Sequence, residues 1–215
     1  MRRPRVLLAD DHTLMLDGIR SMLADKVDLV GTAKDGRTLL ESALELKPDI
    51  VLLDISMPLL NGVDAARQIR KELPNTRIVF LTMHAERDYV IEAFKAGAHG
   101  FLLKWSAQEE LVAAIRQVMA GHTYVTPLIP KTVLESLRSS PRRELKPSGD
   151  LSAREREVLQ LVAEGRAAKE IAGILHVSVK TAEYHKYRLM RKLGLHSTAE
   201  LTRYAVQRGL VGLGT

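Results

Sequence analysis

The sequence predicts a doubly wound α/β domain with a parallel sheet, followed by a second, smaller all-α domain. Two observations carry this expectation. Through residue 121, five β-branched or leucine-rich runs alternate with helix-patterned segments across short connections, and from residue 151 only helical patterning occurs. The charge divides in the same region. Residues 1–121 hold 16 Lys and Arg against 17 Asp and Glu, a net of −1, whereas residues 122–215 hold 16 against 9, a net of +7. A near-neutral front and a basic back point to a polyanion as a partner of the back half alone.

The strand-like runs are RVLLAD (5–10), LVGTA (29–33), DIVLLD (49–54), RIVFLT (77–82) and GFLLK (100–104). Their near-continuous apolar character suits parallel strands buried on both faces. Helical patterns fill 13–24, 36–46, 63–73, 87–96 and 106–120. In the last of these, Leu111, Ile115, Val118 and Met119 keep helical spacing. Five βα units with right-handed crossovers make a five-stranded doubly wound sheet over residues 1–121. Gly121 ends the fifth helix.

Segment 122–150 carries the breakers Pro127, Pro130, Pro141, Pro147 and Gly149, and the cations Arg142, Arg143 and Lys146. It reads as a solvated linker, with a short helix at 130–138. Domain 151–215 follows, with helices at 152–164, 167–175, 179–193 and 198–208. Ser152 with Glu155 three residues on is a capping-box signature.

Composition narrows the chemistry. The chain has no Cys, which excludes disulfides, thiolate metal sites and a thiol nucleophile. The amino-terminal MRRPRVLLADD runs into a charged strand end without an apolar leader segment, and no apolar run approaches membrane-spanning length. The expectation is a soluble cytoplasmic protein with no membrane partner.

The chemistry-bearing residues sit at strand ends. Asp10 and Asp11, Asp54, Thr82 and Lys104 each close an apolar run. Parallel strands bring their carboxyl ends to one edge, where ligands bind. Three carboxylates, a hydroxyl and an ammonium there suit a hard cation and a phosphoryl group. Mg²⁺ favours one or two carboxylates with waters and a phosphate oxygen. Asp54 is the candidate for covalent phosphorylation. Lys104 can pair with a carboxylate at rest and with a phosphoryl oxygen after transfer, and Thr82 can donate to the same group.

In the back half, EIAGIL (170–175), HVS (176–178) and VKTAEYHKYRLMRKLGL (179–195) read as two helices joined by a tight turn. A helix-turn-helix sets its second helix in the DNA major groove. Val179, Ala182, Leu189 and Leu193 are expected to face the core. Lys180, Glu183, Tyr184, Tyr187 and Arg191 then fall on the open side.

The pattern of Asp10-Asp11, DISMP (54–58), NG (61–62), LTMHA (81–85) and GFLLK (100–104) resembles the receiver domain of two-component response regulators, a flavodoxin-like fold. The resemblance implies that Asp54 accepts a phosphoryl group from a histidine kinase. It further implies that Asp10, Asp11, Asp54 and the Ser56 carbonyl hold Mg²⁺, that Thr82 and Lys104 bind the aspartyl phosphate, and that Phe101 is the aromatic switch residue. Ser56 and His84 would flank the phosphoryl group and tune its hydrolysis. Trp105 stands where the family commonly has Pro or a small or acidic residue; it reads as an exposed indole beside the site, a feature of local packing ahead of the alternative, a part of the output surface.

LSAREREVLQLVAEG (151–165), KEIA (169–172), VSVKT (177–181), His185 and KLGL (192–195) resemble the LuxR-type DNA-binding domain. A receiver joined to this module is the NarL/FixJ architecture. The resemblance implies that Glu183, Tyr184 and Tyr187 face bases and that Lys180, His185, Lys186 and Arg188 serve the phosphate backbone, with Thr181 in the same DNA-contacting set. It also implies a homodimer on double-stranded DNA, with the last helix either pairing the two domains, as in the family, or closing the core of each monomer. Ala167-Ala168 replace the family's Ser-Asn, which argues against a helix cap or phosphate contact at those two positions. The reading is a transcriptional response regulator rather than an enzyme. The alternative is a DNA-binding regulator independent of phosphorylation, whose receiver-like domain serves dimerisation.

Overall fold

The computed structural model describes residues 2–133, 135 and 151–211. The chain divides into two compact units, one built on a sheet and one of helices. The sheet strands are β1 (Arg5–Ala9), β2 (Asp28–Ala33), β3 (Ile50–Leu53), β4 (Arg77–Thr82), β5 (Gly100–Leu103) and β6 (Tyr124–Val125). All pairings are parallel, in the order β2-β1-β3-β4-β5-β6. The helices between them are α1 (Thr13–Leu23), α2 (Gly36–Leu46), α3 (Gly62–Glu72), α4 (Arg87–Lys95) and α5 (Ala107–Met119). Apart from β6, each element lies within one residue, at either end, of its expected span.

The strand order reverses where β1 pairs on one side with β2 and on the other with β3. Such a switch point opens a crevice beyond the strand ends. Asp10 follows β1 and Asp54 follows β3, so both carboxylates flank that crevice. One face of the sheet is filled by Val6, Leu8, Leu52 and Leu102, packed with Ile19 of α1 and Ile115 of α5.

The sheet has six strands, which corrects the five expected. Tyr124 pairs with Gly100 and Val125 with Phe101, extending the sheet beyond β5. Two residues are too few to show strand periodicity, and this strand is held by contacts remote in sequence. Of the helix expected at 130–138, residues 131–133 and 135 are helical. Residues 136–150, and with them most of the expected linker, lie outside the described residues.

The helical unit contains α6 (Ala153–Ala163), α7 (Ala168–Ile174), α8 (Val179–Leu193) and α9 (Thr198–Gln207). The expected capping box forms: Glu155 N donates to Ser152 Oγ at 3.2 Å and Ser152 N to Glu155 Oε2 at 2.7 Å. The Ser178 and Ser197 side chains cap α8 and α9 by accepting from Thr181 N and Glu200 N, without the reciprocal bond. At α7, Ala167 offers no side-chain acceptor, and only the reciprocal half remains, Ala167 N donating to Glu170 Oε2 at 2.8 Å. Val158, Leu161, Ile171, Ala182, Leu189 and Leu201 form the core.

Lys192 of α8 donates to Glu155 at the start of α6, at 2.8 Å. Burial alone would raise the Glu155 pKa, but the bonds from Lys192 and Ser152 together hold it below the usual carboxylate range. Among the described residues, no helix is long and apolar enough to cross a membrane.

Candidate functional site

The carboxyl edge of the sheet gathers the predicted polar set. Each residue emerges from a strand whose own side chains are buried, so its backbone is fixed before its side chain is considered. Asp10 N donates to Ala33 O at 3.1 Å and Asp54 N to Ala9 O at 3.0 Å, carrying the ladder one step past the strand ends. The loop after Asp54 closes tightly: Gly62 N donates to Ile55 O at 2.8 Å. A Cβ on Gly62 would sit 1.9 Å from the Asp54 carbonyl oxygen, so only glycine fits.

Lys104 is the centre of the site. Its Nζ lies 2.7 Å from Asp10 Oδ2 and 2.8 Å from Asp54 Oδ2, and all three residues are buried. Burial by itself lowers an ammonium pKa. The charges and hydrogen bonds of Asp54 and Asp10 together outweigh that effect and hold Lys104 above its ordinary value. The other Asp54 oxygen, Oδ1, accepts from Ile55 N at 2.6 Å. One ammonium therefore neutralises part of a three-carboxylate pocket, and Asp11 stands more open at its rim.

Ligand atoms of Asp10, Asp11, His12 and Asp54 all lie within 4.8 Å of one another. Three of these donors are hard carboxylate oxygens, the set that an oxygen-seeking divalent cation takes. His12 is a member that the sequence reading passed over: its Nδ1 lies 2.9 Å from Asp11 Oδ1 and 3.2 Å from Asp10 Oδ1. The run Asp-Asp-His at a strand end was the available signal.

Thr82 is wholly buried, and its hydroxyl accepts from His84 N at 3.3 Å. Ser56 Oγ and His84 Nε2 are 2.9 Å apart, so the two expected flanking residues meet. The His84 ring also stacks on Tyr89 with centroids 4.2 Å apart. Phe101 is wholly buried within β5. Trp105 is 55% exposed, in keeping with the exposed indole expected beside the site. The chain turns at Lys104–Ser106 as it leaves β5, and with Lys104 pointing inward the next side chain points out.

The second candidate face lies on α8. His176 adopts a left-handed backbone (φ 53°) in the turn that joins α7 to α8. Lys180, Glu183, Tyr184, Tyr187, Arg188 and Arg191 are exposed along the helix. His185 and Lys186 are half-buried, and Lys186 Nζ donates to Thr198 Oγ1 at 2.8 Å, which ties it to α9. Thr181 is also engaged: its N donates to Ser178 Oγ at 3.1 Å and its hydroxyl lies 2.8 Å from the same oxygen. Ala182 and Leu189 are buried as expected, but Val179 is 43% exposed. That corrects its assignment to the core. Val179 occupies the first helical position, and the buried face of α8 begins only at Ala182.

Two family models match separate stretches of the chain. Residues 6–116 match the response regulator receiver domain, and residues 150–205 match the luxR family of bacterial regulatory proteins. The transcriptional regulatory protein MctR of Rhizobium johnstonii is 41% identical over 209 residues, which cover 96% of this chain and 95% of that protein. Among solved structures, the RcsB response regulator of Salmonella typhimurium is 30% identical with a TM-score of 0.62, covering 97% of this chain and 99% of that one. A structure of two RcsB dimers bound to two parallel DNAs is 30% identical with a TM-score of 0.56, covering 94% and 98%. The chain belongs to the NarL/FixJ-type two-component response regulators, which join a receiver domain to a LuxR-type DNA-binding domain and control transcription.

Proposed function

We propose that Asp54 is the phosphoacceptor and that its phosphorylation by a histidine kinase sets the affinity of residues 151–215 for a specific DNA sequence. The observation that carries this reading is the buried bridge of Lys104 between Asp10 and Asp54. A dehydrated ammonium beside the acceptor oxygen is already in reach of a phosphoryl group bonded there.

Asp10, Asp11 and Asp54, with the Ser56 carbonyl, would hold Mg²⁺. When bound, it supplies positive charge opposite the transferring phosphoryl oxygens. Asp54 attacks the phosphorus of a kinase phosphohistidine. The oxygen–phosphorus bond forms, the nitrogen–phosphorus bond breaks, and the imidazole keeps the electron pair. Lys104 then exchanges the Asp54 carboxylate for a phosphoryl oxygen, and the Thr82 hydroxyl turns from His84 N toward another. Phe101, buried in β5 beside the strand that ends in Thr82, fills the space behind the threonine. The resulting change at α4, β5 and α5 biases a two-state equilibrium. This is self-chemistry at one aspartate, so no substrate is turned over.

On α8 the exposed Glu183, Tyr184 and Tyr187 are the candidates for base contacts. A glutamate can accept from cytosine N4. Lys180 and Arg188, with His185, Lys186 and Thr181 nearer the core, serve the phosphate backbone and fix register without specifying sequence. RcsB solved as dimers on DNA supports a homodimer as the binding form.

The test is DNA binding at one fixed salt concentration, with and without acetyl phosphate and Mg²⁺, for wild type and Asp54→Ala. Salt is held constant because phosphate contacts make affinity steeply salt-dependent. Tightening by the donor in wild type alone is the expected result. Equal binding by both proteins under both conditions would establish a regulator that works without phosphorylation.

A further inference from the structure

The short strand β6 lies in the part of the chain between the two family matches, and it does not hold itself in place. It pairs in parallel with β5, and the amides at its two ends donate to that edge, Tyr124 N to His99 O at 3.0 Å and Thr126 N to Phe101 O at 2.9 Å. A strand this short at a sheet edge is marginal without further support. The support comes from one carboxylate on α5. Glu110 Oε2 accepts from the Tyr124 hydroxyl at 2.9 Å, and Glu110 Oε1 accepts from the Thr126 hydroxyl at 3.0 Å. Residues 124 and 126 share a face because strand side chains alternate, so a single carboxylate engages both. Thr126 is 1% exposed, and burial followed by the adjacent Glu110 pushes the Tyr124 phenol up to about 12.

The place where β6 is fastened matters more than the fastening. Thr126 N bonds to the carbonyl of Phe101, and three residues further along the same strand-and-turn Lys104 bridges Asp10 and Asp54. A shift of β5 that accompanies a change at Asp54 is therefore felt, one hydrogen bond away, by the chain leaving the receiver. We infer that Glu110 is a clasp that fastens the start of the interdomain segment onto the strand carrying Phe101 and Lys104, so that the state of Asp54 reaches the DNA-binding domain through β5 and β6. Glu110 is a positioning residue in this scheme. The inference rests on the reading of Asp54 as the switch, and it names the covalent route by which the switch is read.

The experiment uses the full chain as wild type, Glu110→Ala, Glu110→Gln and the double variant Tyr124→Phe/Thr126→Val. Two quantities are measured with and without acetyl phosphate and Mg²⁺. One is amide hydrogen exchange resolved at residues 122–130. The other is affinity at fixed salt for a duplex selected from a random pool by donor-treated wild type. Glu110→Ala and the double variant should speed exchange at 124–126 by about tenfold, as expected when side-chain hydrogen bonds that hold a strand are removed. They should leave β1 to β4 protected, and they should abolish most of the donor-induced gain in affinity. Glu110→Gln keeps an acceptor and the side-chain shape, and should restore much of both. The inference is overturned if β6 is released while the donor-induced gain stays at the wild-type ratio. Absence of any donor effect in wild type would overturn the underlying reading of Asp54 as well, and is distinguishable because it precedes every substitution. Loss of protection across the whole sheet in Glu110→Ala alone would transfer the decision to the double variant, which removes the same bonds from the other side.

Discussion

The acidic pocket and the exposed face of α8 are both polar, yet they are built in opposite ways. In the pocket, Lys104, Asp10 and Asp54 are buried and committed to one another at 2.7 and 2.8 Å. On α8, Tyr184 is 57% and Tyr187 62% exposed, and Lys180, Glu183 and Arg188 also face solvent. A phosphoryl group is one fixed ligand, and an ammonium already held beside its acceptor oxygen is aimed at it in advance. A DNA groove presents edges and phosphates over a wide surface, and side chains that read it must stay free until contact. The difference predicts where stability and function separate: substitutions in the pocket affect both, and those on α8 affect binding alone.

The largest effect should come from Lys104→Met. It leaves two buried carboxylates facing each other, and loss of one partner of a buried ion pair costs about 3 kcal/mol or more. Urea unfolding of the sheet unit in chelator should show that loss, with partial recovery in Mg²⁺. The response to acetyl phosphate should disappear. Full stability in chelator would break the account of the pocket.

Next in size is Gly62→Ala, because the added methyl meets the Asp54 carbonyl oxygen and backbone must move. Overpacking of this kind costs about 1–3 kcal/mol, readable as a lower thermal midpoint together with slower phosphorylation at Asp54. On α8, Glu183→Ala should relax base preference at one position by about 1–3 kcal/mol. Arg188→Ala should weaken binding to all duplexes alike and reduce the salt dependence by roughly one phosphate contact. Both should leave unfolding unchanged within about 0.5 kcal/mol. A large loss of stability in either would erase the contrast with the pocket.

A smaller effect concerns pH. His99 Nδ1 accepts from Ile78 N at 3.1 Å. Burial, then the cations Arg70 and Arg77, lower its pKa from 6.5 to about 4. The unfolded chain therefore binds a proton between those values that the folded chain refuses. The His99 contribution is complete above pH 6.5 and is lost as pH falls toward about 4. Midpoints measured across that window should decline less steeply for His99→Gln. Smallest of all, His84→Ala should alter the aspartyl-phosphate lifetime by a few-fold, since it frees Ser56 and removes the ring stacked on Tyr89. An unchanged lifetime would show those contacts to be structural only.

Much of this was legible in the residues, and the rest was hidden for identifiable reasons. Strands buried on both faces write themselves as apolar runs, and the polar residue closing each run marked Asp10, Asp54, Thr82 and Lys104. Helix starts were visible at Ser152 because both members of its capping box are local. Strand β6 was not visible, since Tyr124 and Val125 carry no periodicity and depend on Glu110 fourteen and more residues away. Val179 was misassigned because spacing reports which face a residue shares, and not whether a neighbour covers it at the end of an element. His12 was hidden for a third reason: a lone imidazole next to Asp10-Asp11 carries no spacing signal, and its role shows only in its contacts with both carboxylates.

The bridge at Lys104 has a consequence in time as well as in space. An ammonium in water must shed its shell before it can grip a phosphate, and that dehydration opposes binding whenever it occurs. Here Asp10 and Asp54 already hold the ammonium out of solvent, so the shell is lost once, as the chain folds. Each later signalling event inherits a cation ready for use. Folding energy spent by the whole domain is thereby kept on hand for a single bond.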